Sequence, residues 1–235
     1  MSSSQVSRSF FDPEAAATYD ERFAPLRPLM QALHLAMEAA FLHLPANARV
    51  LCVGAGTGAE ILALGRKFPE WHFTAVEPSG PMLEICRRKA REEGMEDRCT
   101  FHEGYLDSLP PGESFHAATS ILVSQFILEK EARRSFFQGI AEKLSPGGLL
   151  ISTDLSADAA GNEYQRIMDL WIRLLGFTDM TPEKIAQIKP AYGRDVAVST
   201  PAEIAGLIGS AGFEAPLPFF QTVLIRSWLA QRADA

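Results

Sequence analysis

The sequence predicts an α/β protein whose mostly parallel sheet carries helices on both faces. Short β-rich runs alternate with longer helical ones through the middle of the chain, the rhythm of a sheet fed by helical crossovers. The first apolar run meets three glycines, Gly54, Gly56 and Gly58, in "VLCVGAGTGAE". That is the form of a buried strand turning tightly into a helix whose N-terminus can receive a ligand.

Strands are expected at 49–53, 72–77, 99–102, 117–123 and 149–153, each a short β-rich run. A helix is expected over 79–93, with Ser79 ahead of Pro81 at its start and Met82, Leu83 and Cys86 forming its apolar stripe. Another spans 129–144, where Phe136, Phe137, Ile140 and Leu144 recur at helical spacing before "SPGG". Ahead of the first strand lie two further helices, 13–22 with Asp12 as N-cap and 28–43. Residues 156–198 hold "NEYQRIMDLWIRLLGF", "TPEKIAQIK" and "PAYGRD", too much for a plain connection. The chain closes with a helix at 201–210, the turn "SAGF", and strands near 213–219 and 221–229 close enough to be hairpin partners. The reading is one domain over 1–235, with an N-terminal helical lid, 1–45, and a helical insertion, 156–198, forming a cap over the open edge of the sheet.

Bulk composition agrees. At 235 residues, 47% apolar and 22% charged, the chain can bury one substantial core. Lys and Arg number 22 against 29 Asp and Glu, giving a net charge of −7 with no basic run, which argues against a nucleic-acid partner. Cys52, Cys86 and Cys99 are too few and scattered for a disulfide framework, so a reducing, cytoplasmic setting is expected. "MSSSQVSRSFFDPE" lacks the apolar core of a secretory signal, and no apolar stretch approaches a membrane span. No histidine pair has metal-ligand spacing, so no metal is expected.

In doubly wound sheets a ligand sits at the carboxyl ends of the strands, with an acid after the second strand holding ribose hydroxyls. Glu77, ending "FTAVEP", occupies that place. The glycine loop, the acid in "VEPS", the "LSPGGLLIS" around the fifth strand and the terminal "AGF" hairpin together resemble a class I S-adenosylmethionine-dependent methyltransferase. "MLEICRRKA" and "SQFILEKEARRSFF" resemble the small stand-alone group that includes carboxy-S-adenosylmethionine synthase. A nicotinamide dehydrogenase would share the first two strands but not the "AGF" ending or the long helical lead-in.

The resemblance implies a seven-stranded Rossmann-like sheet with an antiparallel last strand, S-adenosylmethionine as cofactor and S-adenosylhomocysteine as product. It implies cofactor contacts from Gly54, Gly56 and Gly58 at the methionine portion, from Glu77 at the ribose, and from Pro78 and Met82 at the adenine. After the third strand the family runs Gly-Asp and a hydrophobic residue. Here the run is Gly104, Tyr105 and Leu106, so Tyr105 would stack or offer its hydroxyl and Leu106 its N–H. The family acid two residues before the first glycine is replaced by Cys52. The cofactor's ammonium would then pass to backbone carbonyls near Gly54 and Ser120 or to water, and Cys52→Asp would tighten binding.

Methyl transfer from a sulfonium is an in-line displacement by an already activated reagent, so a base is optional. Asp154, just past the expected fifth strand, is the best-placed carboxylate, and it serves equally well as a turn cap. Gln125 either orients an acceptor or bonds backbone. Phe10, Phe11, Tyr19, Tyr164, Trp171 and Tyr192 would wall an apolar acceptor pocket, with Tyr19 closing over the sulfonium. Arg194 would meet an anionic acceptor or pair with Asp195. The function expected is methyl transfer to a small organic acceptor, and a homodimer is among the assemblies the sequence allows. Two alternatives stand beside it. One is carboxy-S-adenosylmethionine synthesis from prephenate, although "PAEIAGLIGSAGF" lacks the arginine that family uses for the added carboxylate. The other is a non-catalytic cofactor-binding protein, motivated by Cys52 and Tyr105.

Overall fold

The structure is a computed structural model that describes residues 13–178, 180–214 and 216–234. Seven strands form one sheet in the order β3-β2-β1-β4-β5-β7-β6. In chain order these are β1 (Arg49–Val53), β2 (His72–Glu77), β3 (Cys99–Glu103), β4 (Phe115–Ile121), β5 (Leu144–Leu155), β6 (Leu217–Thr222) and β7 (Ile225–Gln231). The first five run parallel, while β7 pairs antiparallel with both β5 and β6. The order reverses between β1 and β4, which opens a crevice at their carboxyl ends.

Strand pleat divides the core in two. Val50 and Cys52 of β1 point to one face, under helices α3 (Arg27–Ala40), α4 (Ala59–Lys67) and α5 (Gly80–Glu92), with Leu33, Met37, Ile61, Leu64 and Leu83. Leu51 and Val53 point to the other, under α6 (Lys130–Lys143) and α9 (Pro201–Gly209), with Phe137, Ile140, Ile204 and Ile208. A third cluster joins the carboxyl end of β5 and the amino end of β7 to α7 (Tyr164–Leu175) and includes Leu26, Leu155, Trp171, Leu175 and Ile225. Helix α8 (Pro182–Ala191) adds Ile188 to it.

Several boundaries differ from expectation for local reasons. The expected helix 13–22 breaks at Thr18 into α1 (Pro13–Ala17) and α2 (Tyr19–Arg22). Strand β4 stops at Ile121 rather than 123, because Leu122 takes φ +59 and its N–H bonds Thr153 O at 2.8 Å. "SPGG" lies within β5, across an irregularity in its pairing with β4. Helix α6 is capped by the Glu129 carboxylate, which accepts from Glu131 N and Ala132 N, and α9 by a capping box of Thr200 and Glu203. The hairpin is displaced by a few residues and turns at Val223–Leu224.

Candidate functional site

The loop between β1 and α4 is built by close contacts. Gly54 has φ +74 and packs so tightly on Val123, past β4, that an added Cβ would lie 2.4 Å from its Cγ2. Gly54 N–H donates to Val76 O at 2.8 Å, joining the loop to β2. The Glu77 carboxylate, at the end of β2, then closes the turn. Oε2 accepts from Gly56 N–H and Oε1 from Ser79 N–H, each at 2.9 Å. Burial raises the Glu77 pKa above the ordinary carboxylate value, and those two N–H donors oppose the rise. Each oxygen keeps acceptor capacity toward solvent.

Around this loop opens a cleft of about 3160 Å³, several times the roughly 300–1,000 Å³ of a typical small-ligand site. Tyr19, Gly54, Gly56, Glu77, Pro78 and Met82 line it, as do Tyr105, Leu106, Gln125, Trp171 and Tyr192. Burial pushes the Tyr19 phenol up to about 12, with Asp20, Glu60 and Glu77 adding to the rise, so it is neutral. Trp171 Nε1 donates to Tyr192 Oη at 2.6 Å, and burial pushes the Tyr192 phenol up to about 12 as well. Of the two roles expected of Gln125, the bond to backbone is seen. Its Oε1 accepts from Leu155 N–H at 2.9 Å, and the residue is among those that line the cleft.

Five expected site residues stand outside the cleft. Gly58 (φ +81) serves helix packing instead, since a Cβ there would lie 2.5 Å from Cys86 Sγ. Ser120 is fully buried in β4 with its hydroxyl unpartnered, and Ile121, Leu122 and Val123 form the wall in its place. Asp154 is also fully buried, held by Arg133 Nη2 at 2.9 Å, Ser124 Oγ at 2.7 Å and Ser152 Oγ at 3.2 Å. Tyr164 is half-buried on the cluster beneath α7. Arg194 is exposed and paired with Asp195 at 2.6 Å. Phe10 and Phe11 fall outside the described residues.

Three features of the site went unread in the sequence. Glu60, the second residue of α4, is buried yet lines the cleft, and its pKa is raised to about 7 by burial and by Glu77. The signal for it was an acid in the first helical turn directly after the glycines. Asp107, one residue past Leu106, is an exposed carboxylate at the rim. Asp20 ties α2 to the loop and to α5, accepting from Thr57 Oγ1 at 2.8 Å and meeting Lys89 Nζ at 2.5 Å. Among the described residues no cluster of His, Cys, Asp and Glu could hold a metal, and no helix is long and apolar enough to cross a membrane.

Residues 50–148, spanning the glycine loop, Glu77 and α6, match a family model described as a methyltransferase domain. Over that stretch the chain is similar to the class I S-adenosylmethionine-dependent methyltransferases. It is 34% identical over 107 residues to an erythromycin 3''-O-methyltransferase of Saccharopolyspora erythraea, covering 45% of this chain and 34% of the relative. It is 29% identical over 147 residues to a carboxy-S-adenosyl-L-methionine synthase of Campylobacter lari, covering 61% and 60%. The fold also matches a magnesium protoporphyrin IX methyltransferase from Synechocystis PCC 6803 with bound S-adenosylhomocysteine. That match has a TM-score of 0.69 at 14% identity and covers 98% of this chain and 100% of the other. The curated relatives are only partly spanned, from about a third to three fifths of their length.

Cys52 faces the core beneath α4 and α5 and is absent from the cleft wall, and burial drives its thiol pKa far up. Cys52→Asp therefore carries a stability cost beside the tighter binding expected of it. The variant would bury a second carboxylate near Glu60, and should lose roughly 3–5 kcal/mol of stability, the scale of an uncompensated buried charge. Urea denaturation measures the loss. Unchanged stability together with tighter S-adenosylhomocysteine binding would show that side chain to face the ligand after all.

Proposed function

We propose that this chain transfers the methyl group of S-adenosylmethionine to a small organic acceptor seated between the carboxyl ends of β4 and β5 and the α7–α8 cap. The observation that carries this reading is one continuous cleft. At one side Glu77 closes the glycine loop, and at the other stand Trp171, Tyr192 and the Gln125 amide. The donor set suits the cofactor, because Glu77 has acceptor capacity for two ribose hydroxyls. Gly56 also leaves open space, where even an added Cβ would meet only Met82 Cε at 3.8 Å. When bound, the cofactor supplies a methyl group on a positively charged sulfur.

The chain's own work is then binding, orientation and exclusion of water. Glu77 would hold the ribose, Met82 and Leu106 would wall the adenine, and Tyr19 would turn a neutral aromatic face to the cation. Trp171 and Tyr192 would clamp the acceptor, with the Gln125 NH₂ as a fixed hydrogen-bond donor. Asp154 is committed to Arg133, so an acceptor proton would leave to solvent or to a group the acceptor brings. The segments from α1 to α3 and from α7 to α8 would act as lid and cap. Three free cysteines suit a reducing, cytoplasmic setting.

The carboxy-S-adenosylmethionine alternative gains nothing from the structure. Helix α9, PAEIAGLIG, carries no Lys or Arg, and its Ile204 and Ile208 are buried in the core. Calorimetry with S-adenosylmethionine and S-adenosylhomocysteine tests the proposal, and absence of binding by either overturns it. Mass spectrometry of a mass-balanced assay over an acceptor panel then separates transfer from binding alone. A carboxylated cofactor in the purified protein would reverse the ranking.

A further inference from the structure

We infer that Glu60 is the anionic partner of the cofactor's α-ammonium. The inference rests on S-adenosylmethionine being the ligand of this cleft and adds a residue to its binding set. Glu60 is 6% exposed and stands among the residues that line the cleft. The hydrogen bond found for its carboxylate is with its own backbone N–H.

The charged and titratable groups around it do not neutralise it. Glu77 from β2 repels it, Tyr19 from α2 is neutral, and the buried thiols of Cys52 and Cys86 are protonated. Lys89 of α5 attracts it but is held by Asp20. A buried carboxylate without a cation is costly, and this one belongs to a residue of the cleft wall.

An ammonium answers this site better than a sulfonium. It is compact and carries three N–H donors, whereas a sulfonium has no hydrogen to give to the carboxylate's lone pairs. Binding a cation there removes the repulsion with Glu77 and restores the ionised form.

The experiment compares wild type with Glu60→Gln by calorimetry, using S-adenosylhomocysteine, S-adenosylmethionine and a deaminated S-adenosylhomocysteine. Wild type should prefer the amino form to the deaminated one by about 10-fold or more, the range of a charge-assisted hydrogen bond. Glu60→Gln should lose that preference and weaken on both natural ligands alike. Wild-type affinity for S-adenosylhomocysteine should climb from about pH 6 to about pH 8 as Glu60 ionises, with proton release on binding, while the variant stays flat.

A readout without ligand accompanies these. The Glu60 pKa in the fold, about 7, lies above its ordinary 4.5, so this group favours the fold in acid and costs stability as pH rises through that window. Glu60→Gln should therefore raise the ligand-free melting temperature at about pH 8, with the gap closing toward about pH 5. Undiminished binding, retained preference for the amino form, a loss confined to S-adenosylmethionine, or a destabilised variant at about pH 8 would each overturn the assignment. Failure of wild type to bind either natural ligand would instead remove the cofactor reading beneath it.

Discussion

Glu77→Ala is expected to weaken S-adenosylhomocysteine binding by about 100-fold or more. Two charge-assisted hydrogen bonds to ribose hydroxyls would go, each worth roughly 1.5–3 kcal/mol. The same substitution releases Gly56 N–H and Ser79 N–H, now held at 2.9 Å, so the glycine loop loses the strut that shapes it. Glu77→Gln keeps one acceptor oxygen and should fall between the two, near 10-fold. Calorimetry gives the affinities, and circular dichroism confirms that the sheet persists. Near-wild-type affinity in a folded Glu77→Ala would place the ribose elsewhere.

Asp154→Ala should instead act on stability. It would leave the Arg133 guanidinium, 2% exposed, without its carboxylate. Removing one partner of such a pair costs about 3–5 kcal/mol, because the remaining charge stays buried and uncompensated. The damage would spread, since Arg133 Nε also donates to Ser124 Oγ and Nη1 to Ser199 Oγ, linking α6, the loop after β4 and the approach to α9. An Arg133→Met, Asp154→Leu double variant should recover most of the loss. Urea midpoints of the three variants decide this. An Asp154→Ala protein of normal stability that had lost turnover would return Asp154 to the role of base.

What the sequence showed and what it hid divide along a physical line. The β1 strand, the glycine turn and the acid ending β2 are local patterns, and each fixes its own geometry through burial, φ and strand direction. The antiparallel hairpin was equally legible, because only a short turn separates its two strands. Other positions depend on what lies opposite in space. Nothing in the sequence near Asp154 announces Arg133, far off in the chain, which bonds it. Nothing near Gly58 announces Cys86, which fills the space beside it. Glu60 went unread, because only burial and the approach of Glu77 in the fold make its charge expensive. Leu122 carried no signal at all, since nothing in its side chain announces a left-handed backbone at the cleft wall.

Asp20 sets the terms on which the cleft opens. Its two contacts, to Thr57 and Lys89, cross from the N-terminal helices to the rest of the fold. The Asp20 and Lys89 side chains remain 41% and 21% exposed. Each contact is then worth only about 1 kcal/mol, and the ionic one weakens with salt. The polar tie between α2 and the glycine loop is therefore the part of this contact that salt would weaken first.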